Sequence, residues 1–195
     1  SGFVKFKPKM YHYFPGSPMH SSPASPEFLY NSTKQMFTGY ASILMPTDTS
    51  MYWTGFFNYN NEASVDSVIF NVNSLNTSQV KMFNEPIGGW TYFITLISPY
   101  YPSQGLNNFK CLLHRTNNDI DYTEITNAQM FIRPWMDAMG HGSSNNVHPV
   151  YISGGVYEGS VNFNMSGLWS VYDSIKVDNT TITPQVSPKF TFDVP

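Results

Sequence analysis

Two short segments of the chain pair methionine with histidine in surroundings that packing alone does not call for. Met10, His12, Met19 and His20 fall in the first, and Met136, Met139, His141 and His148 in the second. Four of the five histidines therefore share two segments with four methionines. Their neighbours are mostly Pro, Gly, Ser and Tyr, so these methionines belong to no apolar stripe of the kind in which a core methionine fills gaps. Thioether sulfur is a soft, neutral donor that Cu(I) accepts, and imidazole suits Cu(I) and Cu(II) alike. Zinc and calcium sites rest on other donors. Met/His loops without thiolates or clustered carboxylates point to copper, with Cu(I) ahead of Cu(II).

Met45 and Met165 extend the candidate set. Each is in phase with an apolar stripe and each ends its run, so each reads either as packing or as a ligand facing a loop. His148 precedes Pro149 and reads as a second ligand or an ordinary turn residue; His12, between Tyr11 and Tyr13, reads as a ligand or a solvated loop residue. Met36, Met51, Met82 and Met130 read as packing, and Trp53 and Trp169 as core tryptophans of a sandwich. Cys111 and His114 stand three apart on an expected strand, hence on opposite faces. They do not readily share a metal, and Cys111 reads as a small buried hydrophobe.

The elements that must position these residues are strands. Helical periodicity is nearly absent, whereas period-two patterns recur. Tyr157, Gly159, Val161, Phe163 and Met165 share one face of a run, as do Gly39, Ala41, Ile43 and Met45. Further strands are expected at Val68 to Val72, Trp90 to Ile97, Asn108 to Leu113, Gln129 to Ile132 and Lys189 to Val194. The 14 prolines and 13 glycines punctuate them, which suits an all-β sandwich.

The sequence also repeats itself. Phe6-Lys7-Pro8-Lys9-Met10 is answered by Ile132-Arg133-Pro134-Trp135-Met136. Pro18-Met19-His20-Ser21-Ser22 is answered by Met139-Gly140-His141-Gly142-Ser143-Ser144. Met36 to Tyr40 is answered by Val156 to Ser160, then Met45 by Met165 and Trp53 by Trp169. These landmarks, kept in one order, imply two copies of one unit. The expected division is 1–98 for a first, degenerate module and 99–195 for a second, with the boundary at Ser98-Pro99-Tyr100-Tyr101-Pro102.

Composition narrows the function. Of the 195 residues 16% are aromatic and 12% charged, with a net charge of −3. The ten lysines and arginines form no run along the sequence, so a phosphate backbone is an unexpected partner. One cysteine excludes a disulfide framework, and the longest apolar run, Trp90 to Ile97, is too short to cross a bilayer as a helix. The N-terminal residues are not a signal peptide. No Gly-x-Ser-x-Gly elbow, His-Glu-x-x-His or phosphate loop occurs, and the acidic residues are scattered, so a non-catalytic protein is expected. Asn31, Asn76, Asn164 and Asn179 begin glycosylation-like triplets of little weight in so Asn/Ser/Thr-rich a chain.

Pro134-Trp135-Met136-Asp137-Ala138-Met139-Gly140-His141-Gly142, followed by Gly155-Val156-Tyr157-Glu158-Gly159 and Phe163-Asn164-Met165-Ser166-Gly167-Leu168-Trp169, resembles the YtkA-like domain. The resemblance is good over about 105–175 and weaker over about 4–55. The chain as a whole is similar to two-domain lipoproteins of the Bacteroidetes type. The resemblance implies two tandem immunoglobulin-like or CopC-like sandwich modules in the bacterial envelope, in the periplasm or as an outer-membrane lipoprotein, with a link to copper or other metal handling. Carried over by position, its motif covers Met136, Met139, His141 and Met165. Asp137 departs from it, since proline is usual there, and Tyr11-His12-Tyr13 stands where the first loop should turn.

The expected function is copper capture, buffering or delivery, with an envelope metal transporter or metalloprotein as partner. The alternative is a structural or adhesive surface module that binds glycan or protein through its aromatics.

Overall fold

Period-two patterning becomes strand along most of the chain. The computed structural model describes residues 2–14, 19–75, 79–85 and 88–195. Pro18 of the first Met/His segment and the Asn76-Thr77-Ser78 triplet lie outside them. The fold is all-β, and no helix among the described residues is long and apolar enough to cross a membrane. The chain forms two compact units, Ser1–Ser78 with Thr116–Glu124 and Gln79–Arg115 with Ile125–Pro195.

The first unit holds β1 (Phe3–His12), β2 (His20–Ser21), β3 (Phe28–Asn31), β4 (Met36–Thr38), β5 (Met51–Tyr59) and β6 (Asp66–Phe70). They form one antiparallel sheet in the order β4-β3-β1-β5-β6, with β2 against the far end of β1. β1 alternates strictly: Pro8 and Met10 point inward and are buried, while Lys5, Lys7 and Lys9 point outward. The segment between β4 and β5 is tied to β5 by the Trp53 indole, which donates to the Met45 carbonyl. The Gly39-Ala41-Ile43-Met45 stripe is not the strand its pattern predicts. β4 stops at Thr38, and Ala41 makes only an isolated bridge to Ala24. The Ser42 amide donates to the Pro23 carbonyl and the Ser25 amide to the Tyr40 carbonyl, so these backbone groups are satisfied by the neighbouring segment 23–25 rather than by a strand ladder.

The second unit is a two-sheet sandwich. Its elements are β7 (Val80–Asn84), β8 (Thr91–Ser98), β9 (Gly105–Thr116), β11 (Ala128–Met136), β12 (His141–Gly142), β13 (Val147–Ser153), β14 (Val156–Phe163), β15 (Gly167–Val177), β16 (Thr180–Thr181) and β17 (Lys189–Val194). The two-residue β10 (Thr123–Glu124) closes the short segment that returns to the first unit. One sheet runs β13-β14-β9-β8-β7; the other runs β12-β11-β15-β16, with β17 also on β15. Phe83, Tyr92, Ile94, Phe109, Tyr157, Trp169, Val171 and Phe190 meet in one core between them.

The division expected after residue 98 is displaced by about twenty residues. The β7–β8 hairpin continues the β9 sheet and puts Phe83, Tyr92 and Ile94 into the second core. Ser98 to Pro102 is thus the turn between two neighbouring strands of one sheet, and the break falls at Ser78/Gln79.

Candidate metal centre

The repeat read from the sequence survives where the Met/His segments are, as pairing geometry. In the first unit Met10 lies opposite His20 on one side and opposite Trp53 on the other. In the second, Met136 lies opposite His141, and the register that sets Trp135 against Ser170 brings Trp169 alongside Met136. Directly paired residues of an antiparallel ladder share a face. Each unit therefore carries an imidazole, a thioether and an indole side by side on three adjacent strands.

Burial and hydrogen bonds repeat as well. Met10 is 0% exposed and Met136 4%, and both tryptophans are fully buried. The Trp53 indole N–H donates to the Met45 carbonyl at 2.9 Å, and that of Trp169 to the Met165 carbonyl at 3.1 Å. Met45 and Met165 are thereby tied by their backbones to the tryptophan of the trio. Met165 packs against the second core, while Met45 is partly exposed.

The units differ in imidazole count. In the first, the His12 and His20 rings lie 6.1 Å apart at an interplanar angle of 68°. His12 is two residues beyond Met10, hence on the same face, and its Nε2 is buried with no hydrogen-bond partner. A buried ring nitrogen without a partner costs free energy unless something coordinates it or donates to it. Met51 lies opposite His12, and Met19 precedes His20, half-buried. Asp48 is close enough for its charge to feel His12; its carboxyl is held below the ordinary range chiefly by the Ser50 hydroxyl, then by the Ser50 amide. Asp48 and Met51 were not evident as site residues in the sequence, since only the ladder puts Met51 against a histidine.

In the second unit His141 stands edge-on to Trp169 at 5.7 Å, with its Nδ1 beside the Gly142 carbonyl. The connection from β11 to β12 is tight. The Met139 and Gly140 amides both donate to the Met136 carbonyl, and Gly140 takes a φ of +66°, which glycine adopts without a Cβ penalty. Asp137 explains its own departure from proline. Its carboxylate accepts from the Ser170 hydroxyl at 2.8 Å, the Tyr172 hydroxyl at 3.2 Å and the Lys189 ammonium at 3.1 Å, which pins the loop to β15 and β17. Those donors, Ser170 first and Lys189 next, hold its carboxyl below the usual range.

Two expected ligands stand apart from the trio. Met139 is 63% exposed at the loop tip. His148 is exposed on β13, where its ring sits edge-on to Phe131 and its Nδ1 accepts from the Ile132 amide at 3.2 Å. Ile132 is four residues from Met136, roughly 13 Å along an extended strand, so His148 is not beside His141. Among the described residues no three His, Cys, Asp or Glu side chains come together to hold a metal ion. The thioethers of Met10 and Met136 are the soft donors that stand next to an imidazole in each unit.

The outer face of β1 holds a second feature that a run-by-run reading of charge missed. Alternation lines up Lys5, Lys7, Lys9 and Tyr11. Tyr52 stacks on Tyr11 at 5.6 Å and 20°, Tyr13 lies 4.9 Å from Tyr52, and Lys9 sits over Phe56. Lys7 is paired with Asp121 at 3.0 Å.

A family model described as YtkA-like matches residues 90–172, which span the β11–β12 loop, β14 and Trp169. No curated protein matches the chain.

Proposed function

We propose that this chain, whose residues 90–172 match a YtkA-like family model, is a non-catalytic Cu(I)-binding protein of the bacterial envelope that captures and hands on copper. The observation that carries the reading is the doubled trio: Met10–His20–Trp53 and Met136–His141–Trp169 in equivalent register. The unpartnered His12 Nε2 supports it further. In the first unit Met10, His12 and His20 would hold the ion; in the second Met136, His141 and Met165 would, with Met139 as an exposed first contact. A soft monovalent ion bound by neutral thioethers and imidazoles adds one positive charge and no buried anion, which keeps exchange with a partner's ligands fast. The buried Met10 and Met136 would set the place, and the partly exposed His20 and His141 would complete it.

Anaerobic titration of the purified chain with Cu(I) against a competing chelator tests this. Two ions should bind well below micromolar dissociation constants. His141→Ala should abolish one equivalent, and His12→Ala with His20→Ala the other. Micromolar or weaker binding that none of these variants changes would end the copper reading.

The outer face of β1 supports a second reading, a surface module that holds an acidic glycan. Tyr11, Tyr13 and Tyr52 offer rings for sugar faces, and Lys5 and Lys9 offer charge for carboxylates. Retention on an immobilised polyuronate that falls with Tyr52→Ala, with no retention on a neutral glucan, would favour it. Equal behaviour on both would dismiss it.

A further inference from the structure

Asp173 is the most anomalous residue of the second unit. It lies on the inner face of β15, in phase with Trp169, Val171, Ile175 and Val177, opposite Ile132, and is 0% exposed. Neither carboxyl oxygen has a hydrogen-bond partner. The repeat shows what packing alone would put there. Four residues past the tryptophan, the first unit has Phe57 opposite Phe6, rings 4.9 Å apart; the second has Asp173 opposite Ile132. A buried unpaired carboxyl is costly both as an ion and as an unsatisfied neutral group. An aromatic or aliphatic side chain would avoid that cost.

Two sulfurs occupy the same layer. Met130, opposite Ile175, is the diagonal cross-strand neighbour of Asp173. From the facing sheet Cys111 brings its Sγ to 3.8 Å from the Met130 Sδ, fully buried. Burial first, and then Asp173, push the Cys111 thiol up. Two sulfurs 3.8 Å apart, each at the ~2.3 Å of a metal–thiolate bond, subtend an angle of about 110° at an ion between them. That angle suits a trigonal or tetrahedral soft ion.

We infer that Cys111, Met130 and Asp173 form a second kind of metal site, enclosed in the sandwich core, that takes a soft d10 cation such as Cu(I) as a structural ion. Binding replaces the thiol proton: Cu(I) and the Cys111 thiol give a Cu(I)–thiolate bond, and the proton leaves to solvent. The thiolate cancels the charge of the ion, the Met130 thioether is a neutral second donor, and an Asp173 oxygen is the third. No change of oxidation state is involved. Since every donor is sealed from water, the ion enters as the unit folds and exchanges slowly, unlike an ion at the Met/His trios.

The test uses the full chain with His12, His20 and His141 replaced by Ala, so that copper at the trios does not enter the readout. The chain is refolded anaerobically with Cu(I), then washed with a Cu(I)-selective chelator. One retained ion per chain with a near-ultraviolet thiolate-to-copper band is expected. Cys111→Ala should remove both the ion and the band, and Met130→Leu, which keeps the volume, should reduce retention at least tenfold. Asp173→Leu, which restores an apolar side chain where the first unit has one, should do the same while circular dichroism shows the fold intact. No retained copper in the refolded parent, or retention equal in parent and all three variants, overturns the inference. Either result leaves the titration of the unmutated trios to decide the proposed function on its own.

Discussion

Met10 and Met136 are buried as deeply as any core side chain, yet each has an imidazole as its cross-strand neighbour. If they serve only as filler, leucine should replace them without consequence, because volume-conserving apolar exchanges cost less than about 1.5 kcal/mol. Met136→Leu therefore separates packing from ligation. Urea denaturation should shift by less than that amount, while Cu(I) affinity of the second unit should fall at least tenfold. Loss of stability with unchanged affinity would mean that the sulfur is not a ligand. Asp173 gives a prediction of a different kind. Its folded carboxyl titrates well above the ordinary range because burial disfavours the charge, with the Lys81 ammonium opposing this weakly. The folded unit thus keeps a proton that the unfolded chain has lost above its pKa of about 3.9. The stability tied to that proton is fully present below pH 4 and declines as pH rises toward the folded pKa, by ~1.4 kcal/mol per pH unit. The stability difference between Asp173→Leu and the parent should widen as pH rises above 4 in metal-free protein. Parallel pH curves would contradict the burial argument.

At the scale of elements, the repeat is kept by three strands and lost in the rest. β1, β2 and β5 correspond to β11, β12 and β15, residue for residue around the trio. The strands between them diverge. β14 lies inside the second sheet of its sandwich, whereas its sequence counterpart, β4, is a three-residue edge strand in the same sheet as β1. The shared glycine of those segments is needed twice for different reasons. A Cβ on Gly39 would overlap the Phe28 ring. One on Gly159 would overlap the Val147 carbonyl oxygen and lie 2.8 Å from the Pro149 nitrogen. Gly159→Ala should push β13 off β14 and destabilise the second unit by roughly 1–3 kcal/mol, seen as faster hydrogen exchange along β13. Since β13 carries His148 and not the trio, Cu(I) affinity should hardly change. A large loss of affinity would place His148 among the ligands after all.

For the whole molecule, the sequence was most legible where a pattern was local. The strand at Lys189 to Val194 and the alternation of β11 follow from period two alone. The Met10/His20 and Met136/His141 pairs were visible because two copies of a motif check each other. What escaped depended on pairing between distant segments. Nothing local tells that Val80 to Asn84 joins the second unit, that His148 sits beside Phe131, or that Met51 faces His12. Asp173 left a trace, since it holds phase with Trp169, Val171, Ile175 and Val177, and following that stripe to its end would have exposed a carboxyl at a core position. The proposed envelope location belongs to this scale as well. Thioethers and imidazoles form no disulfides, which an exposed thiolate set would do in an oxidising compartment.

The central claim, that the paired thioethers and imidazoles hold Cu(I), is met most directly by a methyl spectrum of the full chain labelled at the methionine ε-carbons, recorded as Cu(I) is added. The account predicts that the Met10, Met136 and Met165 methyl resonances shift together and saturate at about two equivalents, while the exposed Met36 and Met82 stay in place. Shifts confined to Met36, Met82 and Met139, or none at all, would contradict it.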